Sequence, residues 1–242
     1  MIPTTPPEDA RLASREAALA QLEQLFRLDD EDAGELLLIR HALPATGHDG
    51  ESPADPLLSC EGLEQAEGLA QRLQSLWVEA VYTAPERRAF QTAKIVADLI
   101  DRPLRIAGGL EEIDFDTTYP ASGYARRFAL HPRWQSLPGF GDGPRFRRRV
   151  VQAVEKIFAA HPARRVAVIT HSSAINAYLS MLLALPRDLF FAPDHASISI
   201  VRQAGDTYAV RSLNDTAHLA RGAPLGGAMP ALTARSLPLT NR

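Results

Sequence analysis

The 242-residue sequence is poor in several things, and each shortage narrows what the chain can be. It has one cysteine, Cys60, which excludes an internal disulfide and any multi-cysteine metal site. No apolar run reaches the ~18 residues needed to span a bilayer. The formal charge is only -3, so no global field favours nucleic acid or an anionic membrane, and any basic site must be local. The opening stretch "MIPTTPPEDAR" lacks a basic segment followed by an apolar one. It therefore does not read as a secretory signal, and a cytoplasmic protein is expected. The histidines and carboxylates show no convincing metal-ligand spacing.

What is present is a hydrophobic fraction of 45%, enough to bury a real core. Residues 8–28 carry Leu12, Leu19, Leu22, Leu25 and Phe26 among charges, a pattern that suits an amphipathic helix ended by the acidic run "DDEDAG". From residue 35 the chain alternates. "ELLLI" reads as a buried strand, and Ser59 stands as the N-cap of a helix bearing Leu63, Ala66, Leu69, Leu73 and Leu76. "VEAVYT" is a second strand, and Pro85 suits the first turn of a helix with Ala89, Ala93, Val96 and Ile100 on one face. "PLRIA" is a short strand. Phe146, Val150, Val154 and Phe158 step by four along another helix, "RVAVIT" is the clearest strand, and "SSAINAYLSMLLAL" is a helix begun by capping serines. "ASISIVRQAGDTYAVRSL" alternates around a Gly-Asp turn and reads as a hairpin.

Strands alternating with helices predict an α/β three-layer sandwich with a mostly parallel sheet. Ligands in such folds bind outside the carboxyl ends of the strands. Arg40 and His41 directly follow the first strand, and His171 directly follows "RVAVIT", so all three belong on that rim. The interval 114–145 is too long for a plain connection and reads as a cap over it. Residues 1–34 read as an N-terminal extension, 35–219 as the main domain, and 220–242, rich in Gly and Pro, as a tail either loose or laid across a second copy in a homodimer. His48, His131 and His161 stand beside loop residues and read as surface groups; His195 and His218 receive no role.

Four blocks resemble the histidine phosphatase superfamily, the phosphoglycerate mutase-like group. "LLLIRHALP" is similar to its Arg-His-Gly signature. "LLSCEGLEQAEGLAQRL" is similar to the helix after its Leu-Ser/Thr-x-x-Gly turn. "VYTAPERRAFQTAKIVADLI" resembles the block in which Ser-Pro-x-x-Arg-Ala precedes Thr-Ala. "VAVITHSSAIN" resembles the block around the second histidine. The blocks stand in family order and, with "SLNDTAHL", span about residues 35–219.

The resemblance implies that His41 is a nucleophile that becomes phosphohistidine. It implies that Arg40 and Arg88 bind phosphate and that His171 stabilises the phosphoryl oxygens. It also implies that Glu112 protonates the leaving oxygen and then activates water. The chemistry is coherent: only neutral imidazole attacks, and a neighbouring cation disfavours its protonation. Arg87 competes with Arg88, and Glu111 and Asp114 compete with Glu112; family spacing selects Arg88 and Glu112. The implied protein is a phosphatase of the histidine acid phosphatase type, a metal-independent phosphomonoesterase with no cofactor. It would act on a small phosphorylated substrate, with no nucleic-acid or membrane partner. A phosphoglycerate mutase, or an inactive phosphate- or partner-binding member, is the alternative. The chain departs from the pattern at Ala42, Leu43, Gly47 and Asp116, and has "HSSAIN" for His-Gly-Gly and "PGFGDG" for Gly-Gly-Glu-Ser. These positions bear on the choice of leaving group.

Overall fold

The computed structural model describes residues 12–13, 15–21, 33–45, 55–113, 133 and 142–219. Most of the expected cap, with Asp114, Asp116 and His131, lies outside the described residues. So do Gly47, His48 and the tail from 220. Residues 12–13 and 15–21 are helical and exposed.

The remaining elements run β1 (Gly34–Arg40), α1 (Cys60–Gln74), β2 (Ala80–Thr83), α2 (Arg87–Ile100), β3 (Leu104–Ile106), α3 (Gly143–Ala159), β4 (Arg165–Thr170), α4 (Ser172–Leu182), β5 (Ile198–Ala204) and β6 (Thr207–Asp215), closed by a 3-10 turn at Ala217–Leu219. They build one six-stranded sheet ordered β3-β2-β4-β1-β5-β6. β1, β4, β2 and β3 are parallel, while β5 runs against β1 and β6 against β5. α1 packs on α2, and α3 packs on α4. With right-handed crossovers the two pairs fall on opposite faces of the sheet. The expected three-layer architecture is thus the observed one.

The two central strands are buried on both faces, with Leu36–Ile39 and Val166–Ile169 at 1% exposure or less. Such strands cannot alternate polar and apolar residues, which is why both read as unbroken apolar runs. β1 and β4 are paired from Glu35–Arg165 to Arg40–Thr170, so they end level. The chain leaving β1 moves toward one sheet edge and the chain leaving β4 toward the other. Such a switch point opens a crevice at the carboxyl ends of the two strands.

Three local expectations are corrected. Pro85 precedes α2 rather than opening it, because Glu86 holds the N-cap position. The serines of α4 do not cap it: His171 is the N-cap residue without a side-chain cap bond, and Ser173 turns its hydroxyl to Glu112. His161 is buried, not a surface group; its Nδ1 lies 2.8 Å from Glu79 Oε1 and its Nε2 3.0 Å from Tyr82 Oη. Among the described residues no helix is long and apolar enough to cross a membrane, and no group of three or more His, Cys, Asp or Glu could hold a metal ion.

Candidate active site

The site begins where β1 runs out. His41 donates its backbone N–H to Thr170 O at 2.9 Å, prolonging the β1–β4 ladder by one step. The residue is 4% exposed. Nδ1 lies 2.8 Å from the Ala42 carbonyl, which can only accept. The ring proton therefore belongs on Nδ1, and the lone pair on Nε2. Arg88 Nε is 3.3 Å from that Nε2. Burial holds the imidazole pKa well below its ordinary value, reinforced by His171 and, more weakly, by Arg40 and His195, while the bond to Ala42 opposes.

The loop after His41 is tied down from α1 and α2. Leu43 N donates to Gln65 Oε1 at 2.9 Å, and Ser59 N donates to Leu43 O at 3.0 Å. Ala42 N donates to Thr92 Oγ1 at 3.0 Å. Ser59 caps α1 by accepting from Gly62 N at 3.0 Å. A side chain at Gly62 would overlap the Leu43 carbonyl, so the Leu-Ser-x-x-Gly pattern is a requirement for close backbone approach.

Arg88 comes from the first turn of α2 and spans the site. Besides His41, it reaches His171 Nδ1 with Nη2 at 3.3 Å, Asp55 Oδ1 with Nη1 at 3.3 Å, and Glu112 Oε2 with Nη2 at 3.8 Å. Asp55 also caps α2, accepting from Arg87 N at 2.9 and 3.1 Å. Arg40 sends Nη1 to Pro193 O at 2.8 Å, while its buried Nε has no hydrogen-bond partner among the described residues. Burial lowers its pKa, Glu112 and Asp194 opposing.

His171, wholly buried, stands at the end of β4 with its ring 5.2 Å from that of His41. Glu112 Oε2 is 3.3 Å from His171 Nδ1, and Glu112 Oε1 accepts from Ser173. The five residues named from sequence, Arg40, His41, Arg88, Glu112 and His171, thus come from four separated segments into one cluster. The rivals go elsewhere. Arg87 turns Nη1 to Asp55 O at 3.5 Å, and Glu111 pairs with Arg149 at 2.8 Å.

Sequence reasoning missed three neighbours. Asp55 lies in a segment with no helical or strand period. Glu86 is inside the quoted "PERRA" block but masked by the arginines. His195 places its ring 5.2 Å from His41 and its Nδ1 3.1 Å from His41 O. Its position at the start of a strand paired with β1 was the available signal. Burial and then Arg40 push its pKa down to about 4.

A buried lone pair beside the Arg88 guanidinium and a second imidazole, with a carboxyl group at hand and Arg40 near enough to act on it electrostatically, can attack and hold a phosphoryl group. The chain is also similar to known proteins. Phosphoserine phosphatase 1 of Hydrogenobacter thermophilus is 28% identical over 201 residues, 76% of this chain and 93% of that one. Bacillus stearothermophilus YhfR superposes with a TM-score of 0.66 at 22% identity, covering 77% of this chain and 99% of its own. A phosphoglycerate mutase from Bacillus anthracis gives 0.66 at 21% identity, over 78% and 97%. At those identities the two structures speak for the fold alone. The family model described as histidine phosphatase superfamily (branch 1) matches residues 36–216, and the chain belongs to that superfamily.

Proposed function

We propose that the protein is a metal-independent phosphomonoesterase acting on a small phosphorylated metabolite through a phosphohistidine intermediate. The observation that carries this reading is the pinned ring of His41, with Nδ1 on Ala42 O and Nε2 beside Arg88. Nε2 attacks phosphorus, the P–N bond forms, and the P–O bond to the leaving group breaks. Glu112 hands its proton to the departing oxygen. Water then attacks the phosphohistidine, Glu112 takes the proton, and phosphate leaves with His41 neutral again. Arg40, Arg88 and His171 hold the equatorial oxygens, supplying the positive charge that metal ions supply in other phosphoryl-transfer sites.

The relatives of this family include phosphatases and mutases. Hydrolysis is favoured here by the absence of the mutase-type loop residues, with Gly47 near the position of the Asn found in mutase-like members. A pure binding role is disfavoured because it needs no acid such as Glu112.

The test is release of phosphate from p-nitrophenyl phosphate and a panel of phosphorylated metabolites, in EDTA and with added metal. Turnover in EDTA that vanishes in His41→Ala supports the reading. Full activity in His41→Ala removes it, and transfer between positions of a phosphoglycerate without phosphate release substitutes the mutase.

A further inference from the structure

Glu86 sits at the N-cap position of α2, with φ -59° and ψ 141°, yet does not cap the helix. Asp55 does that instead. The Glu86 carboxylate turns inward. Oε1 accepts from Glu112 N at 2.8 Å. Oε2 lies 2.9 Å from His171 Nε2, at ion-pair distance. Among the described residues neither of these two buried atoms has a hydrogen-bond partner, so the 2.9 Å approach to each other is what they are left with. The opposite ring nitrogen, Nδ1, faces Arg88 Nη2 and Glu112 Oε2, each at 3.3 Å. One nitrogen of His171 therefore looks at Glu86 and the other into the site.

We propose that Glu86 is a positioning residue for His171: its carboxylate accepts a hydrogen bond from Nε2–H and so turns Nδ1 to the site, where Nδ1 gains a proton and presents an N–H to the phosphoryl oxygens once an anion binds. This rests on the hydrolase reading above. Carboxylates that orient an imidazole through its far nitrogen fix both the tautomer and the ring direction. A negative charge on that side also lets the ring carry a second proton when an anion binds on the other. Burial alone would raise the Glu86 pKa, but the contacts with His171 and the N–H of Glu112 outweigh it and hold it down to about 2, so the group is ionised. The other charged or titratable groups facing His171 are Arg88 from α2, Glu112 from the segment after β3, and His41 from the end of β1.

The rival role for Glu86 is a tether for the Glu112 backbone, and two substitutions separate them. Glu86→Gln keeps an oxygen for Glu112 N–H but loses the anion at His171; Glu86→Ala loses both. If Glu86 acts through His171, Glu86→Gln lowers kcat about 30-fold and weakens inhibition by inorganic phosphate about tenfold, while KM for p-nitrophenyl phosphate rises with it. Glu86→Asp restores part of both. Wild-type kcat and phosphate inhibition in Glu86→Gln, with loss only in Glu86→Ala, overturns the proposal in favour of the tether. A second readout is independent of turnover: 15N spectra of labelled histidine. They should show Nε2 of His171 protonated in the wild type, and both ring nitrogens protonated once inorganic phosphate is added. An unprotonated Nε2 overturns the proposal even if the variants fail to fold. A wild type that hydrolyses nothing overturns the hydrolase reading, and the protonation state of Nε2 then decides the role of Glu86 by itself.

Discussion

Arg88 Nε stands 3.3 Å from the lone pair of His41 Nε2, so the attacking atom and its nearest cation are in contact before any substrate arrives. The guanidinium must release this nitrogen when phosphorus takes its place, and its other nitrogens then fork onto phosphoryl oxygens. Lysine offers a point charge without that fork. Arg88→Lys should lower kcat/KM for p-nitrophenyl phosphate by about 100-fold, against a few-fold for Arg87→Ala. Equal losses would show that Arg88 is not the phosphate clamp.

Glu112 touches His171 and Arg88 with one oxygen and Ser173 with the other. A proton donor matters most when the leaving oxygen is a poor leaving group. Glu112→Gln should slow alkyl phosphates at least about tenfold more than p-nitrophenyl phosphate. Equal slowing of both substrates assigns Glu112 to binding instead.

Burial of His41 has a consequence for stability. Its folded pKa lies well below its ordinary 6.5, so between those two values the unfolded chain binds the extra proton. Stability is fully present above about pH 6.5 and falls as pH drops below it, at up to about 1.4 kcal/mol per pH unit. His195, pushed down to about 4, acts in the same direction. Glu86, held down to about 2, contributes stability that is lost only at lower pH, below its ordinary 4.5. Urea unfolding between pH 7.5 and 5 should give a shallower dependence for His41→Gln than for the wild type; an unchanged slope would contradict the burial argument.

Gly62 lies against the Leu43 carbonyl, which is backbone and cannot swing aside. Gly62→Ala must displace the loop that carries His41. The expected result is a loss of about 1–3 kcal/mol in denaturant unfolding and a fall in kcat. Wild-type stability in that variant would mean the loop is free to yield.

Asp55 caps α2 and pairs with Arg88. Asp55→Ala should cost about 1 kcal/mol of stability, and Asp55→Asn much less, since amide oxygen also caps. Both should weaken phosphate inhibition if the Asp55 charge helps aim Arg88, and a thermal melt beside a phosphate titration separates the two effects.

The parts of this architecture that announce themselves are those with a period. β1 and β4 are legible because strands covered on both faces admit nothing polar, and α3 because Phe146, Val150, Val154 and Phe158 hold one buried stripe. The five clustered residues were legible because chemistry fixes their types and short motifs fix their spacing. Glu86 and Asp55 were not. Each acts by folding back on a partner far along the chain, Glu112 and His171 for one, α2 for the other. His161 was misplaced for the same reason: beside Pro162 it looks like a turn residue, but Tyr82 and Glu79 draw it inward.

The reversed direction of β5 brings one more segment to the rim of the site. Because that strand enters the sheet at the end where its antiparallel neighbour β1 leaves, Pro193, Asp194 and His195 reach the mouth of the crevice before the strand begins. Insertions or deletions ahead of Pro193 could therefore resize the opening, and so retune which phosphate esters are admitted, while every strand keeps its register.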